Sequence, residues 1–216
     1  MIKGAIFDMD GLMFDSERLV CSIWQEMMDE NGYKFNVDIF KNTIGLRQDK
    51  SKKFYTSLYG EDFDYDAVRN KRIELMEKYI EENGIESKDG AEFLLSYLKE
   101  NGYKVALATA TPFDRAKRYL EKLGLLRYFD EVVCSSMVQN GKPEPDIYLL
   151  AAEKLGLKPQ ECIALEDSQN GIKSASSAGC KTVMVPDLDG PSEEIKPLLY
   201  DVADGLKDVV IIIRNA

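Results

Sequence analysis

Short apolar runs recur along the chain, and each ends in small or polar residues. The first run covers Ile2–Phe7, and four further runs resemble it: Lys104–Thr109, Glu131–Cys134, Cys162–Glu166 and Thr182–Val185. Runs of this length, with helical patterns beside them, are typical of buried strands. The pattern therefore predicts five strands, with the first separated from the others by about 100 residues.

Apolar residues at helical spacing lie between the later runs. The patterns cover Phe93–Leu98, Arg115–Gly124, Ile147–Gly156 and Asp167–Gly179. Alternating strands and helices predict a parallel sheet with right-handed crossovers. The expected fold class is α/β, with a Rossmann-like parallel-sheet core flanked by helices. The β-branched tail Val209–Ile213 is compatible with either a strand or a final helix.

Residues 15–87 follow a different pattern, with helical spacing near both ends and no convincing strand between them. We expect residues 1–14 and 88–216 to form the α/β core domain, and residues 15–87 to form an inserted all-helical cap domain. An insertion directly after a strand would lie over the crevice where parallel sheets bind ligands, and would act as a lid. The alternative is a packed helical subdomain without a catalytic role.

Composition narrows the function. The 216 residues are 44% hydrophobic and carry a formal net charge of −10, which disfavours binding to nucleic acid or to an anionic membrane. No apolar stretch is long enough for a membrane span, and the N-terminal residues do not have the pattern of a signal peptide. Four cysteines without CxxC spacing indicate reduced thiols, so we expect a cytoplasmic protein. The absence of histidine excludes histidine-based triads and histidine-ligated zinc.

The predicted strand ends carry the candidate chemistry. Asp8 and Asp10 follow the first strand, Thr109 ends the second, and Glu166 and Asp167 follow a later one; Lys142 lies in a loop between a glycine and a proline. In a parallel sheet these ends share one edge. Four carboxylates near a single ammonium require a cation, and Mg²⁺ with waters left for a phosphate fits best. Such a site suits in-line phosphoryl transfer.

Taken singly, each of these motifs has a plainer interpretation. Asp8-Met9-Asp10 alone could be a turn, Lys142 alone a solvated surface lysine, and Asp167-Ser168 alone a helix N-cap. The joint pattern favours the functional interpretation because every piece falls at a predicted strand end.

Four short motifs at these strand ends resemble the four motifs of the haloacid dehalogenase superfamily: Asp8-Met9-Asp10-Gly11, Thr109, Lys142 in Gly-Lys-Pro-Glu-Pro-Asp, and Glu166-Asp167-Ser168 with Gly171. The resemblance covers nearly the whole chain. Within the superfamily, the chain looks like the β-phosphoglucomutase-like phosphatase branch, which carries a helical cap between the first two motifs. The stretch Asp15-Ser16-Glu17, which follows the first motif, is also compatible with that branch.

The resemblance implies a role for each motif residue. Asp8 would be the nucleophile that forms an aspartyl-phosphate, and Asp10 the general acid and base. Thr109 and the Ala110 N–H would bind the phosphoryl group, which Lys142 would bridge to the nucleophile. The implied magnesium ligands are Asp8, the backbone carbonyl of Asp10, Glu166 and Asp167. The implied substrate is a small phosphorylated metabolite, and we expect a monomer because one chain can supply the whole site.

Phosphatase and mutase reactions use the same core and differ in the cap. Arg47 resembles a cap arginine that grips the distal phosphate in β-phosphoglucomutase, although it could equally be an exposed arginine. The characteristic histidine of the mutase is Val20 here, and Lys71 or Arg72 are further candidates for substrate binding. We therefore favour a phosphomonoester phosphatase acting on a sugar or polyol phosphate. A β-phosphoglucomutase-type mutase and a non-catalytic regulatory binding protein are the alternatives.

Overall fold

Six parallel strands form one sheet in the computed structural model, which describes residues 1–216. They are β1 (Gly4–Phe7), β2 (Lys104–Thr109), β3 (Glu131–Cys134), β4 (Cys162–Glu166), β5 (Lys181–Met184) and β6 (Asp201–Val202). The order β3-β2-β1-β4-β5-β6 places β1 beside β2 and β4. The five predicted strands and the α/β class are confirmed. Strand β6 was missed because its two residues are exposed and form no apolar run.

Five helices pack around this sheet: α5 (Ala91–Glu100), α6 (Phe113–Lys122), α7 (Asp146–Lys154), α8 (Gln169–Ala178) and α9 (Val209–Arg214). Neighbouring strand residues face opposite layers, as the pleat requires. Phe7 belongs to the cluster that includes α5, α6 and α9, whereas Ile6 belongs to the cluster that includes α7. The tail is therefore a helix; Val209, Val210 and Ile213 are buried while Ile211 is 62% exposed, which is a helical pattern.

The first four helices lie between β1 and α5 and are called the helical insertion (residues 16–83): α1 (Ser16–Glu30), α2 (Val37–Lys41), α3 (Gln48–Tyr59) and α4 (Tyr65–Asn83). Helices α1 and α4 match the apolar spacing of the sequence. Helices α2 and α3 were not predicted, because α2 has five residues and α3 buries only two of its own. None of the helices in the structure has the length and apolar character to cross a membrane.

An aromatic cluster holds the helical insertion together. Trp24 of α1 stacks on Tyr55 of α3, with ring centroids 4.9 Å apart, and Tyr55 stacks on Tyr65 of α4 at 5.7 Å. All three side chains are buried. Aromatic pairs of this kind add about 0.5–1.5 kcal/mol beyond the burial of their area. The cluster ties three helices into one layer beneath the cavity described below. The division of the chain into a core domain and a cap domain stays a prediction.

Candidate active site

The carboxyl ends of the central strands meet at one edge of the sheet because all six strands run in the same direction. Asp8 directly follows β1, Thr109 ends β2 and Glu166 ends β4. Since β1 lies between β2 and β4, the structure brings these three residues to neighbouring positions, at the edge where α/β proteins bind their ligands.

Lys142 reaches this edge from the loop between β3 and α7. Its Nζ donates to Asp8 Oδ1 at 2.5 Å and to Glu166 Oε1 at 2.6 Å, and the lysine side chain is 1% exposed. Burial lowers the pKa of Lys142, but the charges of the two carboxylates outweigh burial and hold that pKa above its ordinary value. Lys142 is therefore a buried ammonium that joins the ends of two strands, and not a mobile surface lysine.

Three buried carboxylates form a candidate magnesium site. Asp8, Glu166 and Asp167 each offer an oxygen within 4.8 Å of the others. Asp167 Oδ1 is buried without a hydrogen-bond partner. Burial and the neighbouring negative charges raise the pKa of Asp167 well above its usual range, and burial, partly offset by Lys142, raises the pKa of Asp8 to about 8. Three crowded carboxylates with an unpartnered oxygen offer the hard oxygen ligands that a divalent cation takes, so these residues fit Mg²⁺.

Two hydroxyl groups donate hydrogen bonds to the Glu166 carboxylate, one from α7 and one from a residue that follows β4. The Tyr148 hydroxyl donates to Glu166 Oε1, and Ser168 Oγ donates to Glu166 Oε2 at 3.1 Å. Ser168 also caps α8, because its hydroxyl accepts from the Gly171 N–H at 3.0 Å. A Cβ at position 171 would lie 1.9 Å from the Glu166 carboxyl carbon, so glycine leaves the space that this carboxylate occupies. Ser168 therefore orients Glu166 and begins the helix at the same time.

The carboxylate of Asp10 lies outside the magnesium cluster. Ser16 Oγ donates to Asp10 Oδ1 at 2.8 Å, and Thr111 Oγ1 donates to Asp10 Oδ2 at 2.7 Å. Both oxygens of Asp10 are thus oriented by hydroxyl donors, and the residue lines a cavity. The turn after Asp10 needs Gly11, whose φ is +78° and where a Cβ would lie 2.1 Å from Asp167 Oδ2. Magnesium binding through the Asp10 backbone carbonyl stays a prediction.

The predicted phosphate ligands lie at the end of β2. Thr109 is fully buried, and its hydroxyl accepts from the Thr111 N–H at 3.0 Å. Ala110 lines the cavity together with Asp8, and its carbonyl accepts from Ser135 Oγ at 3.1 Å. Their positions beside Asp8 are compatible with phosphate binding, and that role stays a prediction.

Arg47 joins the helical insertion to the core. Its Nε donates to Asp49 Oδ1 at 2.6 Å, and its Nη1 donates to the Gln139 carbonyl at 2.8 Å. Nearby, Asn170 Nδ2 donates to the Ile44 carbonyl at 3.0 Å. The insertion therefore touches the core beside a cavity of about 670 Å³, which Arg47 lines. The predicted role of Arg47 in gripping a substrate phosphate stays a prediction.

Several residues of the site were missed in the sequence. Tyr148 looked only like an apolar residue of α7, and no local signal marks its contact with Glu166. Thr111 could have been found, because it follows Thr109 by two residues at a strand end. Glu17 and Arg69 were not singled out as site residues, yet both line the cavity.

The fold and the site together define an α/β protein with an acidic, lysine-bridged centre at the carboxyl edge of its sheet. The sequence profile of the haloacid dehalogenase-like hydrolases matches residues 5–185. Hexitol phosphatase A of Escherichia coli is 33% identical over 186 residues, covering 85% of this chain and 82% of that protein. Phosphorylated carbohydrates phosphatase of Thermotoga maritima is 30% identical over 184 residues, covering 84% of both chains.

A solved structure has the same fold over nearly its full length. β-Phosphoglucomutase from Clostridium difficile is 25% identical, with a TM-score of 0.83 over 100% of this chain and 96% of that chain. The chain belongs to the haloacid dehalogenase-like hydrolase family. Within it the chain is β-phosphoglucomutase-like and is a phosphatase.

Proposed function

We propose that this chain is a magnesium-dependent phosphatase that hydrolyses a small sugar or polyol phosphate through an aspartyl-phosphate on Asp8. The observation that carries the proposal is the buried contact of Lys142 with both Asp8 and Glu166, beside the unpartnered oxygen of Asp167. The relatives named above, which act on hexitol phosphates and phosphorylated carbohydrates, support the substrate class.

Asp8 is the proposed nucleophile. One carboxylate oxygen attacks the phosphorus, and the bond from phosphorus to the substrate oxygen breaks. Lys142 holds one oxygen of Asp8 and keeps a positive charge where the negative phosphoryl group arrives. When bound, Mg²⁺ would be held by Asp8, Glu166 and Asp167, and would offset the charge repulsion between phosphate and carboxylate.

Asp10 is the proposed general acid and base. Its carboxyl protonates the leaving oxygen of the alcohol, and its carboxylate then takes a proton from the water that attacks the aspartyl-phosphate, which releases inorganic phosphate and restores Asp8. The Ser16 and Thr111 hydroxyls orient both Asp10 oxygens, which supports a role that needs an aligned carboxyl group. Thr109 and the Ala110 N–H are the proposed phosphate ligands.

The helical insertion is proposed to act as the cap over this site, with Arg47 as a substrate contact. Arg47 lines the cavity and bonds the core at Gln139, which supports closure over a bound substrate. Closure would exclude bulk water from the reacting groups. The mutase alternative draws support from the fold shared with β-phosphoglucomutase, whereas Val20 on the cavity wall, in place of the expected histidine, supports hydrolysis.

Phosphate release from p-nitrophenyl phosphate and from a series of hexitol and sugar phosphates tests the proposal. Asp8→Asn is expected to reduce Mg²⁺-dependent release to background, and Asp10→Asn to reduce it by about 10²–10⁴-fold. Asp62→Asn, an exposed aspartate, is the matched control and should retain full activity. Unchanged hydrolysis by Asp8→Asn would refute the nucleophile. Conversion of β-glucose 1-phosphate to glucose 6-phosphate, with catalytic bisphosphate and without phosphate release, would establish the mutase instead.

A further inference from the structure

The cavity between the helical insertion and the core is larger than one phosphoryl group needs. Asp8 and Asp10 line one wall, and the side chains of α4 and α6 line another. A volume of about 670 Å³ leaves room for the remainder of a sugar-sized substrate. The charges on the second wall therefore bear on which substrate is accepted.

Most of the cations that line the cavity have a carboxylate partner. The ion pairs are Arg47 with Asp49, Lys52 with Asp66, and Arg115 with Glu77. Each pair neutralises itself and leaves little charge for a ligand. The cations that have no carboxylate partner therefore determine the electrostatic character of the cavity.

Two cations of α4 remain without a carboxylate partner. Arg69 and Arg72 are three residues apart, so they lie on the same face of the helix, and both line the cavity. Neither makes an ion pair within 4.0 Å, and the Arg72 Nε is buried without any hydrogen-bond partner. The only hydrogen bond of the Arg72 side chain is a long one, 3.9 Å from Nη1 to the Met76 sulfur.

The carboxylates near these arginines do not pair with them; Asp66 acts on Arg69 only through its charge and is itself paired with Lys52. Glu17 lines the same cavity and influences the pKa of Arg72, but no hydrogen bond or ion pair joins Glu17 to Arg69 or to Arg72. Burial and the charge of Arg69 both lower the pKa of Arg72. A buried donor without an acceptor is unfavourable, and a ligand with negatively charged oxygens would supply the missing acceptor.

We propose that Arg69 and Arg72 form a subsite for a second anionic group of the substrate, either a carboxylate or a second phosphate. The inference rests on the proposed phosphatase function and narrows its substrate class to phosphates that carry a second anionic group, namely phosphorylated sugar acids or bisphosphates. The planar fork of a guanidinium matches the two oxygens of either anion. Asp8 would receive one phosphoryl group while the two arginines hold the other end of the molecule.

Two matched pairs of ligands separate the sources of the second charge. Gluconate 6-phosphate differs from sorbitol 6-phosphate mainly by its carboxylate, and fructose 1,6-bisphosphate differs from fructose 1-phosphate by its second phosphate. Dissociation constants are measured by calorimetry on Asp8→Asn with Mg²⁺, and on the wild-type enzyme without Mg²⁺. At least one ligand with a second anionic group is expected to bind about 10- to 100-fold more tightly than its singly phosphorylated counterpart.

Variants of the arginines test whether that preference comes from this subsite. In the Asp8→Asn background, Arg69→Gln and Arg72→Gln should each reduce the preference, and the double change should bring it within about twofold. Arg72→Lys keeps the charge but lacks the planar guanidinium, and it replaces Arg72→Gln in this test if that variant does not fold. Arg127→Gln, an exposed arginine paired with Glu92, is the control and should leave the preference unchanged.

The results separate this inference from the proposed function. Equal binding of both members of each pair, or a preference that survives the double change, would overturn the subsite, even if p-nitrophenyl phosphate is hydrolysed normally. Failure of hydrolysis by the wild-type enzyme, with the binding preference present and lost in the arginine variants, would overturn the phosphatase and leave the subsite standing.

Discussion

Glu17 is a buried carboxylate whose surroundings make the stability of this protein depend on pH. It lies in the first turn of α1, is 9% exposed and makes no side-chain hydrogen bond or ion pair. Burial, followed by the negative charge of Asp10, raises the pKa of Glu17 from 4.5 to about 8, and Arg72 offsets only part of this. The folded protein therefore holds a proton on Glu17 that the unfolded chain would release.

The direction of the pH effect follows from this difference in proton binding. Between about pH 4.5 and about pH 8 the folded state binds more protons at Glu17 than the unfolded state does. The stabilisation by this proton is fully present below pH 4.5 and is lost as the pH rises to about 8. The free energy of unfolding falls by up to about 1.4 kcal/mol per pH unit from this group alone.

Glu17→Gln removes this dependence because a neutral amide does not titrate. Urea unfolding is measured in EDTA from about pH 5 to about pH 8 on the wild type and on the variant. The variant's free energy of unfolding, relative to the wild type, is expected to rise across this range by up to about 4 kcal/mol. Glu26→Gln, at an exposed position of the same helix, controls for the loss of one charge. A difference between Glu17→Gln and wild type that stays constant with pH would refute the reasoning.

Three further substitutions probe the centre of the site. Lys142→Met leaves two buried carboxylates without their ammonium, and should lower the free energy of unfolding by about 3–5 kcal/mol in EDTA, measured by urea denaturation. Gly171→Ala should displace Glu166 and weaken Mg²⁺ binding, measured by calorimetry, since its methyl group would overlap that carboxyl. Ser168→Ala removes the cap of α8 and should cost about 1 kcal/mol of stability in the same urea assay.

Matched controls isolate these effects. Lys53→Met removes an exposed lysine without an ion pair and should leave stability almost unchanged. Gly190→Ala adds a methyl group where no atom lies within 4 Å, so Mg²⁺ binding should be unaffected. Unchanged Mg²⁺ affinity in Gly171→Ala would contradict the placement of Glu166 in the metal site. Wild-type stability in Lys142→Met would contradict the buried ion pair.

Local sequence patterns predicted most of the elements in the core of the fold. Buried parallel strands are continuous apolar runs, so β2, β3 and β4 could be located to the residue from the sequence. Helices α2 and α3 could not be located, because their burial depends on the aromatic cluster around Tyr55 and not on a strong apolar stripe of their own. The secondary structure of the tail, α9, could not be decided from the sequence for a related reason: a run of β-branched residues is compatible with a strand and with a buried helix.

The sequence by itself determined which chemical groups stand at the strand ends, because a parallel sheet places every carboxyl end at one edge. Asp8, Lys142 and Glu166 follow from that rule together with the family motifs. Only the tertiary structure decided that Tyr148 donates a hydrogen bond to Glu166, and that Arg69 and Arg72 line the cavity without a carboxylate partner. Those contacts join residues of elements far apart in the chain, and pairing between such elements depends on packing that no local pattern encodes.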